Sequence, residues 1–230
     1  MLILGFQKMT LLDYPGKVAC TVFTGGCNLR CPFCHNALLV TGVSGAKEYP
    51  EEEILSFLGK RKGLLDGVCI TGGEPLLQKD IASFIIRIKE MGYFVKLDTN
   101  GCYPDKLERL AEEKLVDYVA MDIKNAFPFY PETVGIKDFD VAPVKKSAGF
   151  LLSGKVDFEF RTTVVKEFHD VSRIEALAKE IAGAPRYFLQ NFVDSGNLIG
   201  SGLHPAGREE LEKMAAAAKK HIPATQIRGI

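Results

Sequence analysis

The chain has 230 residues, 29 Lys+Arg against 29 Asp+Glu, and 47% hydrophobic residues. Zero formal net charge and a pI near 6.9 exclude the basic footprint of a nucleic-acid binder, and the apolar fraction excludes a disordered chain. No apolar run approaches the roughly 20 residues that cross a bilayer. Met1–Phe6 lacks the basic and apolar regions of a secretory signal, so a cytoplasmic protein without a membrane or nucleic-acid partner is expected.

The first strand signal is Val18–Phe23, which runs into Thr24-Gly25-Gly26-Cys27-Asn28-Leu29-Arg30-Cys31-Pro32-Phe33-Cys34-His35-Asn36. Pro50 ahead of Glu51, Glu52 and Glu53 starts a helix, with carboxylates at its positive dipole end. Val68–Ile70 is the second strand and is followed by Thr71-Gly72-Gly73-Glu74-Pro75. Ile81, Phe84, Ile85 and Ile88 then repeat at helical spacing. Tyr93–Leu97 is the third strand, ending in Asp98-Thr99-Asn100-Gly101, and Tyr118–Ile123 is the fourth, with Asp122 and Lys124 at its end. Phe158–Val165, the fifth, contains Arg161. A helix on Ile174, Leu177, Ala178 and Ile181 leads to the sixth, Tyr187–Leu189, which runs into Gln190-Asn191-Phe192. Leu211, Met214, Ala215 and Ala218 mark a last helix. No linker, repeat or low-complexity tract divides the chain, so one domain is expected over residues 1–230, with a core at about 17–192 and a helix and tail at about 205–230.

Strands alternating with amphipathic helices predict an α/β fold of parallel strands, barrel-like or doubly wound. In both, ligands bind beyond the carboxyl ends of the strands, where this chain carries its polar residues. Cys27, Cys31 and Cys34 form C-x3-C-x2-C on the loop after the first strand. Three thiolates hold a cluster of four irons with one iron open to a small molecule; the alternative is a zinc knuckle completed by His35 or Cys20. Cys20, Cys69 and Cys102 have no such partner and read as ordinary buried residues.

The cysteine loop, with Phe33 before Cys34, resembles the signature of the radical S-adenosylmethionine superfamily. The further text at 34–36, 72–75, 98–101 and 122–124 is similar to its glycyl-radical-enzyme activating branch. Gln7-Lys8-Met9-Thr10-Leu11-Leu12-Asp13-Tyr14-Pro15-Gly16-Lys17 is similar to activating proteins of anaerobic ribonucleoside-triphosphate reductase. The resemblance covers residues 5 to about 192. It implies a partial (βα)6 TIM-like barrel of six parallel strands, one 4Fe-4S cluster on Cys27, Cys31 and Cys34, and S-adenosyl-L-methionine on the open iron. Gly72, Gly73 and Glu74 would contact the methionyl amine, and Lys124 and Arg161 the carboxylate and ribose region. Asp98, Thr99 and Asp122 match positions that hold a monovalent cation, with Asn100 beside them. Phe33 would shield the cluster or line the adenine site.

Where formate-lyase activators carry an adenine-stacking histidine, this chain has Gln190-Asn191-Phe192, and Phe192 is the candidate substitute. The eight-cysteine insert of some relatives is absent, which implies reduction by flavodoxin or ferredoxin. The expected function is an activase that makes a 5'-deoxyadenosyl radical and from it a glycyl radical on a partner, anaerobic ribonucleoside-triphosphate reductase first. The alternatives are a pyruvate formate-lyase-type or other glycyl radical enzyme as partner, a radical enzyme acting on a small molecule, and a non-catalytic iron-sulfur or zinc module. The aromatic and proline-rich segment Phe127–Pro131 reads equally as a docking surface or as a loop packed on the barrel.

Overall fold

The computed structural model describes residues 1–229. Its strands form one sheet in simple chain order: β1 (Ile3–Thr10), β2 (Ala19–Thr24), β3 (Gly67–Gly72), β4 (Phe94–Thr99), β5 (Tyr118–Asp122), β6 (Asp157–Val164), β7 (Tyr187–Asn191) and β8 (Thr225–Arg228). β2 to β7 are the six parallel strands expected from sequence. The order never reverses and β1 does not pair with β8, so the sheet winds one way into an open barrel and is not doubly wound.

The sheet has two strands more than the sequence indicates. β1 adds antiparallel to β2, and β8 adds parallel to β7. Thr225–Arg228 is polar and only four residues long, too short to show a period. It is therefore a barrel strand where a tail was expected.

The helices are α1 (Ala37–Thr41), α2 (Glu51–Gly59), α3 (Ile81–Glu90), α4 (Pro104–Glu112), α5 (Tyr130–Val134), α6 (Ala142–Leu152), α7 (Val171–Glu180) and α8 (Arg208–Lys219). Each long helix buries one stripe: Ile81, Phe84, Ile85 and Ile88 on α3, Leu107, Leu110 and Ala111 on α4, and Leu211, Met214, Ala215 and Ala218 on α8. Burying each large apolar side chain contributes about 1.5–3 kcal/mol. The start of α2 is as expected, with Pro50 at its N-cap and three glutamates in the first turn. Asp170 caps α7 by accepting the Arg173 N–H at 2.8 Å.

The barrel interior is polar. Side chains on the inner face of β4 to β6 include Lys96, Asp98, Asp122, Glu159 and Arg161. Glu159, 1% exposed, accepts from the Tyr118 hydroxyl at 2.8 Å and pairs with Arg228 of β8 at 3.1 Å. β8 thus contributes a charge to the lumen as well as a rung to the sheet. Phe127–Pro131 packs on the barrel: Tyr130 is fully buried and its hydroxyl accepts the Lys124 N–H at 3.0 Å. No helix among the described residues is long and apolar enough to cross a membrane.

Candidate active site

The loop between β2 and α1 carries Cys27, Cys31 and Cys34 and is fixed on several sides by backbone hydrogen bonds. Gly25 N–H donates to Leu2 at 3.0 Å, Gly26 N–H to Leu39 at 2.7 Å, and Arg30 N–H to Val134 at 3.0 Å. Pro32 accepts the Gly200 N–H at 2.7 Å from the segment after β7. Gly135, which ends α5 at φ +70°, has room for no side chain, since a Cβ would lie 2.4 Å from the Arg30 carbonyl oxygen. α5 is therefore a brace for the cysteine loop.

Gly72 and Gly73 form the seat of that loop. A Cβ on Gly73 would lie 2.0 Å from the Gly26 carbonyl oxygen, and Gly72 sits at φ +125°. The contact is sealed by Gly73 N–H to Thr24 at 2.9 Å and Glu74 N–H to Gly26 at 2.8 Å. Glu74 is fully buried. Its carboxylate accepts the Leu76 N–H (3.0 Å), the Thr99 hydroxyl (2.9 Å) and the Asn100 N–H (2.7 Å). Burial pushes it up to about 7 against the pull of these donors. The Asn100 amide in turn donates to Asn28 at 2.9 Å and points at the Cys27 sulfur at 3.8 Å. Three sequence motifs are thus one hydrogen-bonded unit, and both Glu74 oxygens already have protein partners.

Next to this unit lies a lattice of buried charges. Arg161 Nε donates to Asp122 at 2.9 Å and Nη1 to Asp98 at 3.2 Å. Lys124 donates to the other Asp122 oxygen at 3.1 Å, and Lys96 is ion-paired with the other Asp98 oxygen. Burial alone would raise both carboxyls. Arg161 with Lys96 nonetheless holds Asp98 below its ordinary value, and Arg161 with Lys124 holds Asp122 down at about 2. His169 fixes the backbone here: its Nε2 donates to the Lys124 carbonyl at 2.8 Å while Nδ1 accepts the Val165 N–H at 3.0 Å. This is the neutral tautomer that satisfies both neighbours.

A cavity of about 460 Å³ at the carboxyl ends of the strands is lined by the three cysteines, Phe33, Gly72, Gly73, Glu74, Asp98, Thr99, Asn100, Asp122, Lys124 and Arg161. The residues expected from sequence therefore meet in one place, except Phe192. That ring is 1% exposed and stands edge-on behind His35 at 5.6 Å, so His35 takes the wall position. Asp13, Asn36, Thr163 and Gln190 also line the cavity. Thr163 and Gln190 were findable as inward positions near strand ends. Asp13 was not, because only the turn from β1 to β2 brings it inside, where it accepts the Thr21 hydroxyl at 2.5 Å.

The cysteines suit an iron-sulfur cluster. All three face one cavity, and Cys27 receives the Leu29 N–H at 3.4 Å as well as the Asn100 amide, donors that stabilise metal-bound sulfur. Burial pushes the Cys31 thiol up to about 12, with Lys124 pulling it down, so a thiolate there requires a cationic ligand. Among the described residues no three His, Cys, Asp or Glu side chains converge as they would on a single ion. Cys20, which a zinc knuckle would recruit, is wholly buried in β2.

A cysteine-bearing loop over the carboxyl end of an open (βα) barrel, facing a charged cavity, defines a class of cofactor-dependent barrel enzymes. The chain belongs to the radical SAM superfamily, whose domain matches residues 21–178, and within it to the glycyl-radical-enzyme activating branch. A Methanocaldococcus jannaschii protein named as a glycyl-radical enzyme activating enzyme is 35% identical over 239 aligned residues, covering 100% of this chain and 96% of its own. The pyruvate formate-lyase-activating enzyme of Clostridium pasteurianum is 28% identical across 79% of this chain and 83% of its own. In fold, the chain resembles Streptococcus suis SuiB bound to S-adenosylmethionine, with a TM-score of 0.69 at 17% identity, over 89% of this chain and 48% of SuiB.

Proposed function

We propose that Cys27, Cys31 and Cys34 hold one 4Fe-4S cluster and that the adjoining cavity binds S-adenosylmethionine for activation of a glycyl radical enzyme, in the first place anaerobic ribonucleoside-triphosphate reductase. The observation that carries this reading is the single cavity uniting three cysteines with Arg161, Lys124 and their paired carboxylates. When bound, the cluster would supply the one electron for reductive cleavage of the sulfonium, the chemistry that abstracts a hydrogen atom from a backbone glycine of the partner.

The protein's own groups bind and orient. The methionyl carboxylate would meet Lys124 and Arg161, already set by Asp122 and Asp98. The ammonium would meet the Gly72–Gly73 edge, which Glu74 holds in place from behind. Phe33, 3% exposed and packed on Phe168 at 5.9 Å, keeps water from the cluster side. Cys20 lies in β2, Cys69 in β3 and Cys102 in the loop after β4, with no second C-x2-C run among them, and the electron is supplied from outside, by flavodoxin or ferredoxin. The reductase is placed first as partner because the segment from Gln7 to Lys17 resembles its activating proteins.

The test is anaerobic. The protein is reconstituted with iron and sulfide, reduced with dithionite, and assayed with S-adenosylmethionine for 5'-deoxyadenosine and, with candidate partners, for a glycyl radical by electron paramagnetic resonance. Cleavage that Cys31→Ala abolishes, with a radical on the reductase, is the expected result. A radical only on a formate-lyase-type enzyme reassigns the partner, and no cleavage from a fully loaded cluster overturns the enzyme reading.

A further inference from the structure

Every oxygen of the two carboxylates expected to hold a monovalent cation already has a cationic side chain beside it. Asp98 gives one oxygen to Lys96 and the other to Arg161 at 3.2 Å; Asp122 gives one to Arg161 at 2.9 Å and the other to Lys124 at 3.1 Å. The Thr99 hydroxyl donates to Glu74 at 2.9 Å and accepts the Gly101 N–H at 3.1 Å. An ion entering this lattice would meet an ammonium or guanidinium at every one of these oxygens, and like charges so close repel.

Lys96 is the member of the lattice that the binding scheme leaves unused. It stands two residues before Asp98 on β4, hence on the same inward face, one layer below the cavity. Only 2% of it is exposed, and besides Asp98 its ammonium has the Cys69 sulfur at 3.8 Å. A charge buried so deeply is retained only with a fixed partner. Within the lattice, each oxygen of Asp98 and Asp122 has its own cationic neighbour, and Lys96 is the one that serves the Asp98 oxygen Arg161 does not reach. Without Lys96 that oxygen would lack a cation, which is the place a bound monovalent ion could take.

We propose that the Lys96 ammonium is a built-in replacement for a monovalent cation beside the cofactor site, a positioning residue that takes the Asp98 oxygen such an ion would otherwise occupy. The proposal rests on the reading of the cavity as an S-adenosylmethionine site. It makes cofactor binding by this chain independent of sodium and potassium.

The experiment measures S-adenosylmethionine binding to the anaerobically reconstituted protein in tetramethylammonium, sodium or potassium chloride at a fixed ionic strength of about 0.1 M. Wild type should bind within about twofold in all three salts. Lys96→Met should bind about tenfold or more weakly in tetramethylammonium and recover in sodium or potassium, whereas Lys96→Arg should stay salt-independent. Wild-type binding that weakens about tenfold in tetramethylammonium would overturn the proposal, as would a Lys96→Met variant equally impaired in every salt. Thallium-205 resonance on the same protein provides an arm that does not need the cofactor. A saturable thallium site on wild type that Asp98→Asn removes would overturn the proposal; none should be seen. Failure of S-adenosylmethionine to bind wild type in any salt would defeat the cofactor reading, and the thallium arm would still decide whether the carboxylates accept a cation.

Discussion

The Glu74 carboxylate accepts the backbone N–H of Asn100 at 2.7 Å, and this bond couples the end of β3 to the end of β4 beneath the cysteine loop. Because Asn100 then reaches Cys27 and Asn28, the carboxylate controls sulfur placement through one intermediary. Glu74→Gln puts an amide N–H against donors that need an acceptor. It should destabilise the protein by about 1–3 kcal/mol, measured by urea denaturation, and lower the iron retained after reconstitution.

Two glycines should respond oppositely to alanine. Gly73→Ala drives a methyl group into the Gly26 carbonyl, 2.0 Å from the ideal Cβ position. The β3 end and the cysteine loop then cannot both stay in place, at about 3 kcal/mol or more, with the cluster lost as iron content and visible absorbance. Gly149, inside α6, has nothing within 4 Å of its Cβ position. Gly149→Ala should stabilise by about 0.5–1 kcal/mol.

Arg161 serves two carboxylates from one guanidinium fork and is 14% exposed at its side chain. Arg161→Met leaves both short of a cation and should weaken S-adenosylmethionine binding by about 10- to 100-fold, read by equilibrium dialysis under anaerobic conditions. Arg161→Lys keeps the charge but not the fork, and should fall between wild type and Arg161→Met.

Burial lowers His169 below the ordinary histidine value, so the folded protein holds it neutral while the unfolded chain takes up a proton near pH 6.5. Its contribution to stability is therefore intact above about pH 6.5 and is lost as pH falls toward the folded-state value, with a slope of up to about 1.4 kcal/mol per pH unit. His35, also lowered by burial, acts in the same sense. Urea unfolding between about pH 7.5 and 5.5 should show the loss, and His169→Gln should flatten the part that is due to His169.

Much of this site was legible because its chemistry is local in the chain. The cysteines lie within eight residues on one loop, and the polar groups at 72–75, 98–101 and 122–124 directly follow strand runs whose parallel order brings their ends together. The roles of individual residues were less legible. Gly72 and Gly73 read as an approach for ligand, and the structure gives their lack of side chains to contact with Thr24 and Gly26. Phe192 reads as a ligand-facing ring, but strand alternation and the fold of the cysteine loop place it behind His35.

By itself, the sequence determined the six parallel strands, the helices that cover them, the three-thiol loop and the ends on which polar groups gather, because hydrophobic period, turn residues and ligand spacing act over a few residues. Tertiary structure alone decided that β1 and β8 flank those strands, that Asp13 enters the cavity from the opposite end of the barrel, and that Lys96 pairs with Asp98 beneath it. Those outcomes depend on backbone pairing and charge neutralisation between segments far apart in the chain, and no local pattern encodes which buried carboxylate meets which buried cation.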